Sequence, residues 1–410
     1  MLLPDLNTYK INVANVSDIP TIAPVLSKSE SNRLLIIKAL LHAELNNLKI
    51  SDANDTQLLL KLLQQKQHAY NAQDAGTVMR FLTAYLAAKP GMHVLTGTER
   101  MMQRPIGALV KALNQLGAKI DYANAIGFPP LKIEGRSLTG NYVNMDAGIS
   151  SQFISALLLV APYFLKPLTL NLQGHTVSEP YIETTIAMMQ HFGVNVVKQE
   201  QTYRVPVMHY TDSDFAVEAD WSAAAYYYAL VALGVVSQLT LKGYKANSLQ
   251  ADSALVHVFE TLGVNTIFKP DGITLFNKKS SLPQQIDLNC ITFPDAVPAI
   301  AVACAGLGIA ANLTGLQTLV IKETNRIKAL QSNLQLCGFN VASTSNSLSI
   351  NGKLFYKGGL LKMYNDHRIA MAFAILAKAT DGLVIDDVAC VSKSYPGFWV
   401  DIKHCGIFIE

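Results

Sequence analysis

Half of the 410 residues are hydrophobic and only 15% are charged, which supplies a large buried core and excludes a disordered chain. A net charge of +3 with a pI near 8.4 is too mild for a dedicated nucleic-acid binder, which concentrates basic residues on one face. Five scattered cysteines without a CxxC pair exclude a disulfide framework or a zinc site, so no metal or other cofactor is expected. The opening MLLPDLNTYKINV has no basic stretch followed by an apolar one, so no signal peptide is read and a reducing cytoplasm is expected.

Six stretches along the chain follow one order: a polar loop, an apolar helix, a short turn, then a strand. They start near residues 31, 76, 151, 222, 294 and 367. Residues 296–315 carry no charge and are nominally long enough to span a bilayer, but their Ala and Gly content, Pro298 and the closing NLTG favour a helix buried all round. Between the apolar helices lie amphipathic ones that close on NQLGAKI (114–120), QHFGVNV (190–196), ETLGVNT (260–266) and QLCGFNV (335–341). Each closing reads as a helix, a Gly C-cap and an outgoing strand. The predicted unit is therefore strand–helix–strand–helix–strand, repeated six times to make two α/β domains of three.

The residues ahead of the apolar helices are polar and unlike one another. Helix N-termini offer free N–H groups and the positive end of the dipole, so several aimed at one place would make an anion site. Capping alone accounts for Ser, Asp, Asn and Thr there, but not for Lys28, Arg33 or Arg368. Arg104 is expected at the mouth of a helix opened by Pro105, and Lys322 and Arg326 on one helical face at i, i+4. Asp295 and the Asn365–Arg368 run open very apolar helices, and a carboxylate buried there needs polar partners. Lys393 by itself says little.

In order, SKSESNR (27–33), DAGTVMR (74–80), LTGTERMMQRPIG (95–107), SSQF (150–153), SEPY (178–181), FPDA (293–296), KETNR (322–326), NDHR (365–368) and SKSYP (392–396) resemble the 5-enolpyruvylshikimate-3-phosphate synthase family. The resemblance implies two domains, each of three repeated β/α units in an inverse α/β barrel-like arrangement, with helix N-termini facing an interdomain cleft. One domain would hold residues 1–26 and 219–410, the other residues 27–218. It also implies a cytoplasmic monomer that acts on phosphoenolpyruvate and shikimate-3-phosphate and binds neither nucleic acid nor membrane. Lys28, Ser29, Arg33, Ser150, Ser151, Gln152, Ser178, Tyr181, Asp295, Thr318 and Lys322 would bind shikimate-3-phosphate. Lys28, Asp74, Gly76, Arg104, Gln152, Arg326, Arg368 and Lys393 would grip phosphoenolpyruvate. Asp295 would be the base and Glu323 the acid, with Lys28, His367 and Lys393 assisting at the reacting atoms.

Five positions depart from the family pattern: Leu26 for Gly, Asp74 for Asn, Glu179 for a basic residue, Thr318 for Asn and Asn325 for Asp. Asp74 would be tolerable if it capped the N–H groups of Gly76 and Thr77. Two rivals remain. The sister enzyme that transfers enolpyruvyl to UDP-N-acetylglucosamine carries a reactive Cys, and residues 91–107 contain none. A non-catalytic anion-binding relative would need no acid or base, whereas Asp295, Glu323 and Lys393 are all present.

Overall fold

The structure, a computed structural model, describes residues 8–66, 68–148, 150–174, 176–278, 281–380 and 382–410. The chain divides into two compact units, each with its own apolar core. One comprises the described residues up to Ser27, Asp52–Asn54 and Glu218–Glu410; the other comprises Lys28–Ser51 and Asp55–Val217.

Five four-stranded sheets share one topology. A first strand runs parallel to a second across a buried helix. A surface helix then leads to a hairpin whose fourth strand pairs antiparallel with the second. Gln285–Asn289, helix Val297–Leu307, Ala310–Thr314, helix Arg326–Leu336, Asn340–Ser343 and Ser347–Asn351 make one such unit. The repeat thus has one strand more than the sequence pattern predicts, the hairpin strand that pairs with the second. In the last sheet, the fourth place is taken by the N-terminal strand Tyr9–Val13, between Leu383–Ile385 and Ile407–Ile409. The helix Lys28–Leu40 belongs to the sixth unit, for which no four-stranded sheet is assigned among the described residues.

The four glycine closings all sit at helix ends with positive φ: Gly117 (99°), Gly193 (87°), Gly263 (83°) and Gly338 (92°). A side chain there is strained, which is why the same residue recurs. The uncharged segment 296–315 is a buried helix of 11 residues, Val297–Leu307, followed by a strand. At 1.5 Å per residue such a helix rises only about 16 Å. No helix among the described residues is long and apolar enough to cross a membrane.

Where the chain passes between units, Leu26 bridges Ala219 in antiparallel register, and Ser27 N–H donates to the Glu218 carbonyl at 2.8 Å. Leu26 has no positive φ, so the missing glycine costs the backbone nothing. The buried Glu218 carboxylate accepts from Trp221 Nε1 (2.7 Å), Ser248 Oγ (2.6 Å) and the Lys245 amide (2.8 Å), which fixes this junction.

The buried His93 gives the second unit a pH response. His93 Nε2 lies 3.1 Å from the Lys89 carbonyl, and its Nδ1 lies 3.3 Å from His68 Nδ1. A carbonyl only accepts, so His93 carries its proton on Nε2 and His68 donates through Nδ1. Burial, followed by the neighbouring cations, holds His93 below the usual histidine value. A depressed histidine stabilises the fold above the unfolded value and loses that contribution as pH falls through it. The denaturant midpoint should therefore drop between about pH 7 and about pH 5, and His93→Leu should flatten that slope while lowering the midpoint at neutral pH. An unchanged slope in the variant would refute the assignment.

Candidate active site

In the first unit the three buried helices Trp221–Ala232, Val297–Leu307 and His367–Leu376 pack on one another, and polar groups collect at the starts of the last two. Asp295 sits in the short turn Pro294–Ala296 ahead of Val297. Its Oδ1 lies 3.1 Å from both Lys322 Nζ and Arg326 Nη1, and its Oδ2 lies 3.1 Å from Arg368 Nη2. Arg368 Nη1 also donates to the Asp295 carbonyl at 3.3 Å. Burial alone would raise the Asp295 carboxyl, but Arg368, Lys322 and Arg326 outweigh it and hold it far below the usual range. Burial pulls Lys322 down from the ordinary lysine value, against the attraction of Asp295.

Arg326 is 1% exposed and spans three carboxylates. Its Nε and Nη2 fork onto both oxygens of Asp366 (2.8 and 3.2 Å), Nη2 also reaches Glu323 Oε2 (2.9 Å), and Nη1 reaches Asp295. Asp366 is fully buried and also caps the helix His367–Leu376 by accepting from the Arg368 amide at 2.9 Å. This one side chain therefore sets the position of Arg326 and the start of the helix that carries His367 and Arg368. The expected i, i+4 pairing of Lys322 with Arg326 is wrong. The helix begins at Arg326, and Lys322 precedes it in extended backbone at the end of Gln317–Ile321. The two cations meet through Asp295, not along a helical face. Asn325, a departure from the family pattern, is the N-cap and accepts from the Lys328 amide at 3.2 Å, a task that either Asn or Asp performs.

Lys393 is buried at the end of Ala389–Lys393. Thr318 Oγ1 is buried with no hydrogen-bond partner among the described residues. Asp252 is a further carboxylate of this cluster. It is buried, accepts from Ser222 Oγ, and is raised above the usual carboxylate range by burial and by Asp295. No local signal marks it, since it follows an unremarkable loop.

The second unit holds its own cations at the N-termini of Lys28–Leu40, Gly76–Ala88 and Ser151–Val160. Lys28 Nζ pairs with the buried Asp55 Oδ2 at 3.0 Å. The five Arg33 N–H bonds have protein acceptors. Nε reaches Thr185 Oγ1 (2.7 Å), Nη1 reaches Ser29 O and Oγ (2.9 and 2.7 Å), and Nη2 reaches Ser155 Oγ and Tyr181 O (3.3 and 2.9 Å). Burial lowers this guanidinium to about 10, so it stays charged at neutral pH. Arg33 thus fastens Ser29 and Tyr181 in place. Ser178, at the start of Glu179–His191, holds a left-handed φ of 57°, a strain seen at functional positions. Ser150 caps its helix, its Oγ accepting from the Gln152 amide at 3.3 Å, with Ser151 buried beside it. Glu179 is occupied at the surface by Lys198, 2.6 Å away.

Arg104 Nη1 donates to the Asp74 carbonyl at 3.3 Å, and Arg104 Nε has no partner among the described residues. The N-cap position of Gly76–Ala88 is Ala75 and not Asp74. Pro105 lies outside the following helix, which starts at Gly107. A Cβ on Gly76 would lie 2.7 and 2.9 Å from the Arg104 tips and 2.4 Å from Arg80 Nη1, so glycine keeps two guanidinium groups against a helix N-terminus. Arg80, a residue that no spacing in the sequence singles out, also faces the Phe153 ring at 5.4 Å.

Repeated β/α units with cations and carboxylates gathered at buried helix starts define a two-unit α/β enzyme that handles anionic substrates. The architecture matches solved structures of EPSP synthase from Acinetobacter baumannii, with a TM-score of 0.77 at 21% identity over 98% of this chain and 99% of that one. The 3-phosphoshikimate 1-carboxyvinyltransferase of Bacteroides fragilis is 42% identical over 95% of this chain and 96% of its own length. That of Colwellia psychrerythraea is 33% identical over 91% and 93%. The EPSP synthase (3-phosphoshikimate 1-carboxyvinyltransferase) family model matches residues 61–402, and the chain belongs to that family.

The double use of Asp366 is testable by denaturation. Asp366→Asn keeps a capping side chain and loses the charge pair, at a cost of about 1.5–3 kcal/mol. Asp366→Ala loses both and should cost about 3–5 kcal/mol. Equal losses in the two variants would mean the cap contributes nothing.

Proposed function

We propose the following division of labour for the family's reaction, transfer of the carboxyvinyl group of phosphoenolpyruvate to the 5-hydroxyl of shikimate-3-phosphate with release of phosphate. The chain is a transferase of the shikimate pathway, which leads to chorismate and the aromatic amino acids. Lys28, Arg104, Arg326, Arg368 and Lys393 hold the phosphoenolpyruvate anion, with Gly76, Gln152 and Asp74 at the helix starts. Ser29, Ser150, Ser151, Ser178, Tyr181, Thr318 and Lys322 hold shikimate-3-phosphate. Arg33 supports that set by fixing Ser29 and Tyr181. His367 positions the carboxyvinyl group.

The observation that carries this reading is Asp295 among three cations. A carboxylate so held is a poor base. An anion taken up by Arg326 and Arg368 draws those charges away, raises Asp295, and prepares it for a proton just when substrate is present. The 5-hydroxyl oxygen then bonds C2 as its proton passes to Asp295, and the methylene carbon takes a proton from Glu323. The Glu323 carboxylate, having given its proton, takes one back from the methyl group of the tetrahedral adduct as the C–O bond to phosphate breaks and phosphate leaves. Positive charge around the departing phosphate supplies the electrostatic part of the acceleration. A cytoplasmic monomer completes the proposal.

The test is phosphate release from phosphoenolpyruvate with and without shikimate-3-phosphate. Release should require both, and UDP-N-acetylglucosamine should not replace shikimate-3-phosphate. Asp295→Asn should lower kcat by about 10²–10⁴-fold. Glu323→Gln should lower kcat similarly and remove one limb of the pH–rate profile; a profile like the wild type would remove Glu323 from the acid role. Absence of release under all conditions would favour a binding protein.

A further inference from the structure

The three buried helices of the second unit share a second end. Their first turns carry Lys28, Gly76 and Ser151. Arg33 lies 5.7 Å from the Phe81 ring and 3.3 Å from Ser155 Oγ, so the helices run side by side in one direction at matching depth. Their far ends, Leu40, Ala88 and Tyr163 just past Val160, border a cavity of about 530 Å³. A 13-residue helix rises about 20 Å, so a helix length separates this cavity from the residues assigned above to substrate.

The volume suits a small organic ligand, for which pockets of about 300–1,000 Å³ with apolar walls and few polar groups are usual. Leu40, Leu45, Leu63 and Ala88 supply apolar wall, and Tyr85 and Tyr163 supply aromatic surface. Lys89 is the one lining Lys, Arg, Asp or Glu. Its ammonium lies 5.6 Å over the Tyr85 ring, and no carboxylate among the described residues lies within ion-pair distance of it.

Helix C-termini ordinarily repel anions through unpaired carbonyls. Here the carbonyls of Ile37, Lys38 and Ala39 accept from the amides of Leu41, Ala43 and His42. Those of Leu86 and Ala87 accept from Lys89 and Arg136. Besides His42 and the Gln64–Asn46 pair, the cavity offers an apolar slot, an aromatic face and one ammonium without a carboxylate partner among the described residues. We propose that this cavity binds a small aromatic monocarboxylate, its ring against Tyr85 and the leucine wall and its carboxylate on Lys89.

The probe is 3-phenylpropanoate, followed by calorimetry and ligand-observed NMR on the whole protein with its anion sites filled by inorganic phosphate. A ligand of this size should bind with a Kd near or below about 1 mM. Lys89→Met should weaken binding about tenfold through loss of a charge-assisted contact, and Ala88→Phe, which fills the slot, should abolish it. 2-Phenylethylamine, of the same shape and opposite charge, should not bind. Equal affinity in Lys89→Met, equal binding of the amine, displacement by phosphate, or no binding at all would each overturn the proposal. If Ala88→Phe fails to fold, Lys89→Met and the amine decide, since neither disturbs packed residues.

Discussion

The first unit depends on the burial of Arg326. A guanidinium that is 1% exposed survives only if its donors are met by charge, and three carboxylates meet them. Each carboxylate does something else as well. Asp366 starts a helix, Asp295 collects two further cations, and Glu323 is held beside them. Removing the arginine would leave the fully buried Asp366 without its charge partner and loosen Asp295 and Glu323 from each other, so the need to bury it keeps the reactive carboxylates together.

The repeated unit explains why such a network forms where it does. In both units a helix that is apolar along its length begins with polar residues, because its first N–H groups need acceptors. The other helices of the repeat lie outside and carry the ordinary amphipathic pattern. Three departures from the family pattern fit the same local logic. Leu26 lies in backbone that tolerates any residue, Asn325 caps a helix, and Glu179 finds Lys198 at the surface.

Much of this was legible in the sequence because the repeat is written in period and punctuation. Apolar helices, glycine closings and polar first turns recur at similar spacing, and Asp295 and the Asn365–Arg368 run stand out as charges entering apolar helices. What could not be read was pairing across loops. Nothing near Asp252 signals that it faces Ser222 and Asp295, and nothing near Arg33 signals that Thr185 and Tyr181 occupy it. Lys322 and Arg326 misled because i, i+4 spacing was taken for a helix that starts only at the second of them. The second strand of each hairpin alternates where it can, as in Leu131–Gly135 and Ser347–Asn351, but at four to six residues it is too short to be told from a loop by period alone. The NDHR run contains the signal for Asp366, an acidic residue at a helix start, but its partner lies 40 residues away.

The strand Tyr9–Val13, seated between Leu383–Ile385 and Ile407–Ile409, bears on how the chain is made. It is made long before either of the strands it pairs with, about 370 residues or more further on, and waits for them before it has a neighbour. The unit built from residues 28–51 and 55–217 meets no such delay, since its sheets close between nearby segments. Synthesis therefore sets an order: the inserted unit matures while its host is unfinished, and the host closes that sheet only when residues 383–409 arrive to flank a strand made long before.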